Sequence, residues 1–444
     1  LFGQGLPGFG VFWVHISIDQ FGNVGLPLAL FITLLFVAAM ALYVGLAGWL
    51  AVRVTAGWRR PWQVLLAYCS IWVLGEWLRG WLLGGFPWLA LGYSQVGAPL
   101  GAWAPLLGVY GVSWMVTLTA ASLVLLFVSR RRRRLLSLLV FGVIWAGALL
   151  LGQVDWTEPS AAPLDVAIIQ GNVPQQDKWQ QENLQPSLDL YTGLTRSNWD
   201  KDLIIWPETA VPALADRVEQ AFLTPLQQEA LEHGSSLLLG IPVRESPGDR
   251  YYNAMLSLGG NRDAYYKRHL VPFGEFMPLK PVLQPLLHWL RIPMSDFSAG
   301  QKARPLLEAA GYPAGISICY EDAFGNEVIE ALPDAAFLVN ASNDAWFGDS
   351  LAPPQHLQIA RMRALEAGRY LLRATNTGIS ALIGPRGELI ATAPAFQQHV
   401  LSGSILPMEG MTPYARIGNW GVILLSSGLL GLLILSRKLK KSSR

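Results

Sequence analysis

A chain of 444 residues that is 52% hydrophobic and only 14% charged is too apolar for an ordinary soluble protein and too mixed for one wholly immersed in lipid, so two kinds of region are expected. The formal net charge of +2 excludes an overall polyanion-binding surface, and no nucleic-acid partner is expected. The two cysteines are Cys69, inside a membrane-length apolar stretch, and Cys319, far along the chain; they suggest no disulfide.

The chain starts at Leu1 with no basic stretch before its first apolar run, and no signal peptide is assigned. Runs near or above the roughly 18 apolar residues needed to cross a bilayer lie at 25–52, 62–84, 100–129, 135–152 and 417–436. The shorter apolar start, 1–18, reads as the remnant of a further span. Arg53, Arg59 and Arg60 follow the first long run, Arg130 to Arg134 follow the third, and Arg437, Lys438, Lys440 and Lys441 follow the last. All three clusters belong on the cytoplasmic side, which puts the loop 85–99 and the region 153–416 on the opposite side. The expected layout is a membrane part over 1–152, a globular domain over 153–416 with its core at 163–407, a span at 417–436 and a basic cytoplasmic tail at 437–444. Glu76 and Arg79, three apart on one helical face at the outer end of a span, either pair with each other or contact lipid headgroups or the outer domain.

Within 153–416, short β-type runs alternate with helical ones. LDVAIIQGNV from Leu164, DLIIWPE from Asp202, SSLLLGIPV from Ser235, AGISICY from Ala314 and AAFLVNASN from Ala335 are nearly continuous apolar strands, the signature of sheets covered by helices. Helices are predicted over 216–232, 323–331 and 355–369, giving an α/β sandwich of about 240 residues.

Three polar residues interrupt these buried patterns at element ends: Glu208 in IIWPETAVP, Lys267 in AYYKRHLVPFGEF, and Cys319 in GISICY. A thiol at a strand end facing a helix N-terminus is expected to have its thiolate stabilised there. A partly desolvated carboxylate suits general-base work, and a lysine stabilises a developing oxyanion. Together they make an acyl-transfer site; the alternative is an inert cysteine beside a structural Glu208–Lys267 ion pair. Glu275 in PFGEFMP reads, without further pattern, as a solvated loop carboxylate. The segment 278–294, PLKPVLQPLLHWLRIPM, is either a membrane-surface helix that lets acyl chains reach Cys319 or an ordinary core helix. The histidines, His356 included, show no ligand spacing and read as structural, so no metal is expected; without a Walker or dinucleotide motif, no cofactor is expected either.

The order WPET around Glu208, the Lys267 context and CYED around Cys319 resembles the Glu-Lys-Cys triad of the nitrilase superfamily, whose fold is an α-β-β-α sandwich. The likeness extends to EWLRG from Glu76, GFPWLALGYSQ from Gly85, IQGNVPQQDKW from Ile169, YKRHLVPFGEFMP from Tyr266, and NDAWFG from Asn343 with Gln355, His356 and TNTGIS from Thr375. This combination is similar to the apolipoprotein N-acyltransferase family of the bacterial inner membrane. The resemblance implies Glu208 as general base, Lys267 as oxyanion stabiliser and Cys319 as acyl-carrying nucleophile. It also implies supporting roles for Glu275, Tyr320 and Glu321, and places Trp179 at the substrate entrance. The implied reaction moves an acyl chain from a phospholipid, phosphatidylethanolamine by resemblance, to the amine of a diacylglyceryl-cysteine on an apolipoprotein, with the catalytic domain on the periplasmic side. Family members usually have eight spans, and this chain is expected to begin where about the third lies. A monomer is expected, because both ends of the domain are pinned to the bilayer. The rival readings are a membrane-anchored nitrilase that passes the acyl group to water, and a transporter or lipid-binding protein whose outer domain only recognises ligand.

Overall fold

The computed structural model describes residues 2–22, 24–245, 250–277, 297–301 and 304–442. Segment 278–294 lies outside the described residues. The chain forms two compact units, one made of Leu1–Phe12, Thr33–Trp156 and Thr412–Arg444, the other of Trp13–Ile32 and Thr157–Met411.

Among the described residues, four helices are long and apolar enough to cross a membrane: Leu26–Thr55, Pro99–Val128, Arg131–Leu151 and Trp420–Arg437. Large apolar side chains such as Leu42, Phe127, Leu150 and Leu432 face outward from them, as lipid-facing helices require. The run predicted at 62–84 differs. Its helix, Pro61–Arg79, ends at the Gly80 cap, carries Gln63, Glu76 and Arg79, and is not one of the four. Glu76 and Arg79 serve the loop that follows. Glu76 Oε1 accepts from Trp72 Nε1 at 2.9 Å and from the Leu91 amide at 2.9 Å, while Arg79 donates to the Trp88 carbonyl at 2.7 Å. Both charges are buried, and the GFPW segment is tied to them.

The second unit is the sandwich. β1 (Glu158–Pro159) precedes a first sheet of β2 (Leu164–Gln170), β3 (Leu203–Ile205), β4 (Ser236–Arg244), β5 (Tyr251–Leu258) and β6 (Asp263–Tyr266). The second sheet holds β7 (Leu306–Ala309), β8 (Tyr312–Ile318), β9 (Phe337–Ser342), β10 (Leu371–Thr375), β11 (Ala381–Ile383) and β12 (Leu389–Thr392). β13 (His399–Ile405) returns to pair antiparallel with β2, and β14 (Met408–Glu409) pairs with β1. The sheet orders are β13-β2-β3-β4-β5-β6 and β12-β11-β10-β9-β8-β7, with parallel pairing at β2–β3–β4 and at β8–β9–β10.

Side-chain alternation explains why these strands read as unbroken apolar runs. On β2, Val166 and Ile168 join Ile316, Val339 and Leu372 in the core between the sheets. Their neighbours Ala167 and Ile169 point the other way and pack with Leu188, Tyr191, Leu226 and Ala230 of the helices Leu184–Arg196 and Thr224–His233. The second sheet is covered by the helix Ala352–Ala367. The predicted helix over 216–232 is present but passes through a π-turn at Glu219–Leu223, and the one over 355–369 starts three residues earlier and ends two residues earlier, at Ala352–Ala367. The stretch 323–331 is instead broken into short turns, Cys319–Ala323, Gly325–Val328 and Ile329–Ala331.

Candidate active site

Glu208 sits in the turn that leaves β3, and this turn lies directly over β4 at Gly240. A Cβ on Gly240 would meet the backbone of Pro207 and Thr209 and the Glu208 Cα, the last at 2.7 Å, so only glycine allows so close an approach. Glu208 is buried, and its Oε1 accepts from Asn253 Nδ2 on β5 at 2.7 Å. The same amide nitrogen reaches Glu275 Oε1 at 3.1 Å. Lys267 follows β6, and its backbone amide bonds the Asn253 carbonyl at 2.8 Å. Its ammonium, 1% exposed, lies 2.9 Å from Glu275 and 3.5 Å from Glu208.

Burial alone would lower the proton affinity of Lys267; the carboxylates of Glu275 and then Glu208 outweigh it and hold the lysine well above its ordinary range. It is therefore a fixed cation, suited to stabilising negative charge and unsuited to taking protons. Glu275 is not a solvated loop residue: besides Lys267 it accepts the Val271 amide at 2.8 Å, closing its own loop.

Cys319 stands at the junction of β8 and the turn Cys319–Ala323, with a left-handed φ of 52°. Here one expectation is corrected. Desolvation raises the proton affinity of the thiol most, Glu208 raises it further, and the opposing effects of Lys267 and a Ser342 hydrogen bond do not compensate. The turn is a single short 3₁₀ segment, too small to stabilise a thiolate against burial. Desolvation and the Glu208 carboxylate thus favour the thiol form of Cys319 over the thiolate. Glu208 and Lys267 both act electrostatically on the Cys319 thiol, so the three lie near one another.

Glu321 ties the Cys319 turn to β6 and the segment that follows it. Its carboxylate accepts the Ile318 amide at 2.7 Å on its own side, and the Arg268 amide at 2.7 Å, the His269 amide at 3.0 Å and the Tyr265 hydroxyl at 2.9 Å on the other. Tyr320 is buried edge-on against Phe324, with ring centroids 5.1 Å apart. Trp179 is exposed, and it follows Lys178, whose buried ammonium donates to the Glu208 carbonyl at 3.3 Å.

The comparisons with known proteins divide along the same lines. A family described as Carbon-nitrogen hydrolase matches residues 165–413, and one described as Apolipoprotein N-acyltransferase N-terminal domain matches residues 1–122. An apolipoprotein N-acyltransferase of Methylococcus capsulatus is 48% identical over 100% of this chain and 88% of its own length. That of Nitrosomonas europaea is 42% identical over 99% of this chain and 87% of its own. The chain belongs to the apolipoprotein N-acyltransferase family. A solved nitrilase-superfamily structure from Saccharomyces cerevisiae is 19% identical, with a TM-score of 0.42 over 56% of this chain and 91% of its own, and nothing further rests on it.

In this member of the N-acyltransferase family the residues singled out from sequence fall into two places. Glu208, Lys267, Glu275 and Cys319 with its neighbours Tyr320 and Glu321 come together, whereas Trp179 stands at the surface beside them. Asn253, Gly240 and Lys178 were not foreseen. Asn253 had a signal, a lone amide in the apolar strand YYNAMLSL, and Lys178 lay within the quoted IQGNVPQQDKW; Gly240 showed none.

Proposed function

We propose that this chain transfers a fatty acyl chain from a phospholipid to the α-amine of the N-terminal diacylglyceryl-cysteine of apolipoproteins, through a thioester on Cys319. The observation that supports this most directly is the buried cluster in which thiol, carboxylate and fixed ammonium act on one another. In the first half, the Cys319 sulfur attacks an acyl ester carbonyl while its proton passes to Glu208. The oxyanion that forms faces the Lys267 ammonium, which is already in place and needs no reorganisation. Collapse breaks the ester C–O bond, and the departing glycerol oxygen takes the proton from Glu208. In the second half, the acceptor amine attacks the thioester, Glu208 removes its proton, and the sulfur leaves with that proton as an amide forms. Ester to thioester to amide ends downhill, so the steps need no nucleotide.

The finer reading assigns supporting roles to Glu275, Tyr320 and Glu321 and the substrate entrance to Trp179. The donor is phosphatidylethanolamine through its sn-1 chain, and the protein works as a monomer. Residues 1–152 and 417–436 form the membrane part, 153–416 the catalytic domain on the periplasmic side of the inner membrane, and 437–444 a cytoplasmic tail. Water is the competing acceptor, and a site against lipid excludes it while the thioester waits for an amine.

Incubation with phospholipid and no acceptor, followed by intact-mass analysis, tests the proposal. A fatty-acyl increment mapping to Cys319 and discharged by an amine-bearing lipopeptide is expected. Free fatty acid released at one rate with and without the lipopeptide would mark a hydrolase instead, and an unmodified protein would sink both.

A further inference from the structure

Against the backbone of Cys319 lies a second charged group that the reaction above does not use. Asp322 comes from the nucleophile turn, Asp344 from the 3₁₀ turn after β9, His356 from the helix Ala352–Ala367 and Arg373 from β10. None is more than 3% exposed. His356 Nε2 is 2.9 Å from Asp322 Oδ1, and Nδ1 is 2.9 Å from Asp344 Oδ1. Arg373 closes the ring, 2.9 Å from Asp344 and 3.5 Å from Asp322. The carbonyl oxygen of Cys319, whose backbone is held in the left-handed region, lies 3.3 Å from His356 Nε2 and 3.2 Å from Asn340 Nδ2.

We infer that His356 is a positioning residue: an imidazolium wedged between two aspartates that grips the backbone of the nucleophile and cancels the negative charge those aspartates place near its sulfur. A carboxylate only accepts, so two carboxylates facing the two ring nitrogens require a proton on each. With that proton, Asp322, Asp344, His356 and Arg373 sum to zero. Without it they carry one uncompensated negative charge, and Asp344 already raises the proton affinity of the Cys319 thiol. Burial and Arg373 oppose the imidazolium, yet Asp322 and Asp344 outweigh them and His356 is pushed up to about 9. The other charged pair on this helix, Arg363 with Glu366, bonds within itself at 3.0 Å. The role rests on the reading of Cys319 as the nucleophile.

The test measures thioester formation on Cys319 without acceptor, across pH 6.5–10.5. Wild-type acylation is expected to fall on the alkaline side with an apparent pKa near that of His356. His356→Gln leaves the net charge at −1; it should acylate at least about ten-fold more slowly with KM for phospholipid unchanged, and lose that alkaline limb. Adding Asp322→Asn restores neutrality, and H356Q/D322N should regain much of the lost rate, which a merely structural contact would not allow. Independently of any variant, ¹⁵N-histidine spectra of the intact protein should show both His356 nitrogens protonated at pH 7.5. A single protonated nitrogen there, or a folded His356→Gln that keeps the wild-type rate and pH profile, overturns the inference. An absent thioester in the wild type would instead overturn the reading of Cys319.

Discussion

Lys267 owes its behaviour to two carboxylates it can hardly avoid. Removing its charge leaves the buried Glu208 beside the half-buried Glu275, bridged by the Asn253 amide. Lys267→Met is therefore expected to destabilise the protein by about 3–5 kcal/mol, seen as a lower melting temperature, besides abolishing thioester formation. Lys267→Met/Glu275→Gln should recover part of the stability and none of the activity. Lys178 is the opposite case: a buried ammonium whose single described bond is to a carbonyl, with burial lowering it to about 8 despite the attraction of Glu208. The folded state binds this proton less tightly than the unfolded one, so the cost is fully present below pH 8 and fades as pH rises towards 10.5. Lys178→Met should accordingly melt higher than wild type at pH 7, with the gap narrowing above pH 8. It should also slow acylation, because it loses the grip on the Glu208 turn. An unchanged or lower melting temperature at pH 7 would refute the assignment.

The turns that leave β3, β6 and β8 carry the residues of the proposed site, and how closely each sits against its neighbour decides their geometry. Because the Glu208 turn rides on Gly240, Gly240→Ala should push the carboxylate aside. A loss of acylation of about 100-fold or more is expected with the fold retained by circular dichroism, since an ångström at a reacting group is that costly. Normal acylation in this variant would show that the close approach does not matter. The strands themselves were plain in the sequence, because burial on both faces leaves no polar alternation, and Glu208, Lys267 and Cys319 stood out as polar stops at their ends. What the sequence concealed was pairing across long separations. Asn253 meets Glu208 from 45 residues away, and His356 meets Asp322 from 34. No local period marks such partners, and His356 read as structural for that reason. The upward push on the thiol's proton affinity was not legible either, because a nearby turn is visible in sequence and desolvation is not.

At the scale of the whole chain, the mixture of apolar and ordinary composition resolves into two compact units, each holding one of the two cysteines. Thiol labelling in rising urea therefore follows each unit separately. Cys319 is expected to label first in detergent, because the helices around Cys69 bury apolar surface that urea solvates poorly in a micelle; simultaneous labelling would mean the units unfold as one. The proton held by Cys319 has a further consequence. Peroxide, disulfides and alkylating reagents are all attacked by thiolates, and a sulfur whose proton is held more tightly than usual offers them little thiolate. If Cys319 is the acyl-carrying nucleophile proposed above, an idle enzyme built in this way is chemically quiet and keeps that sulfur intact between turnovers.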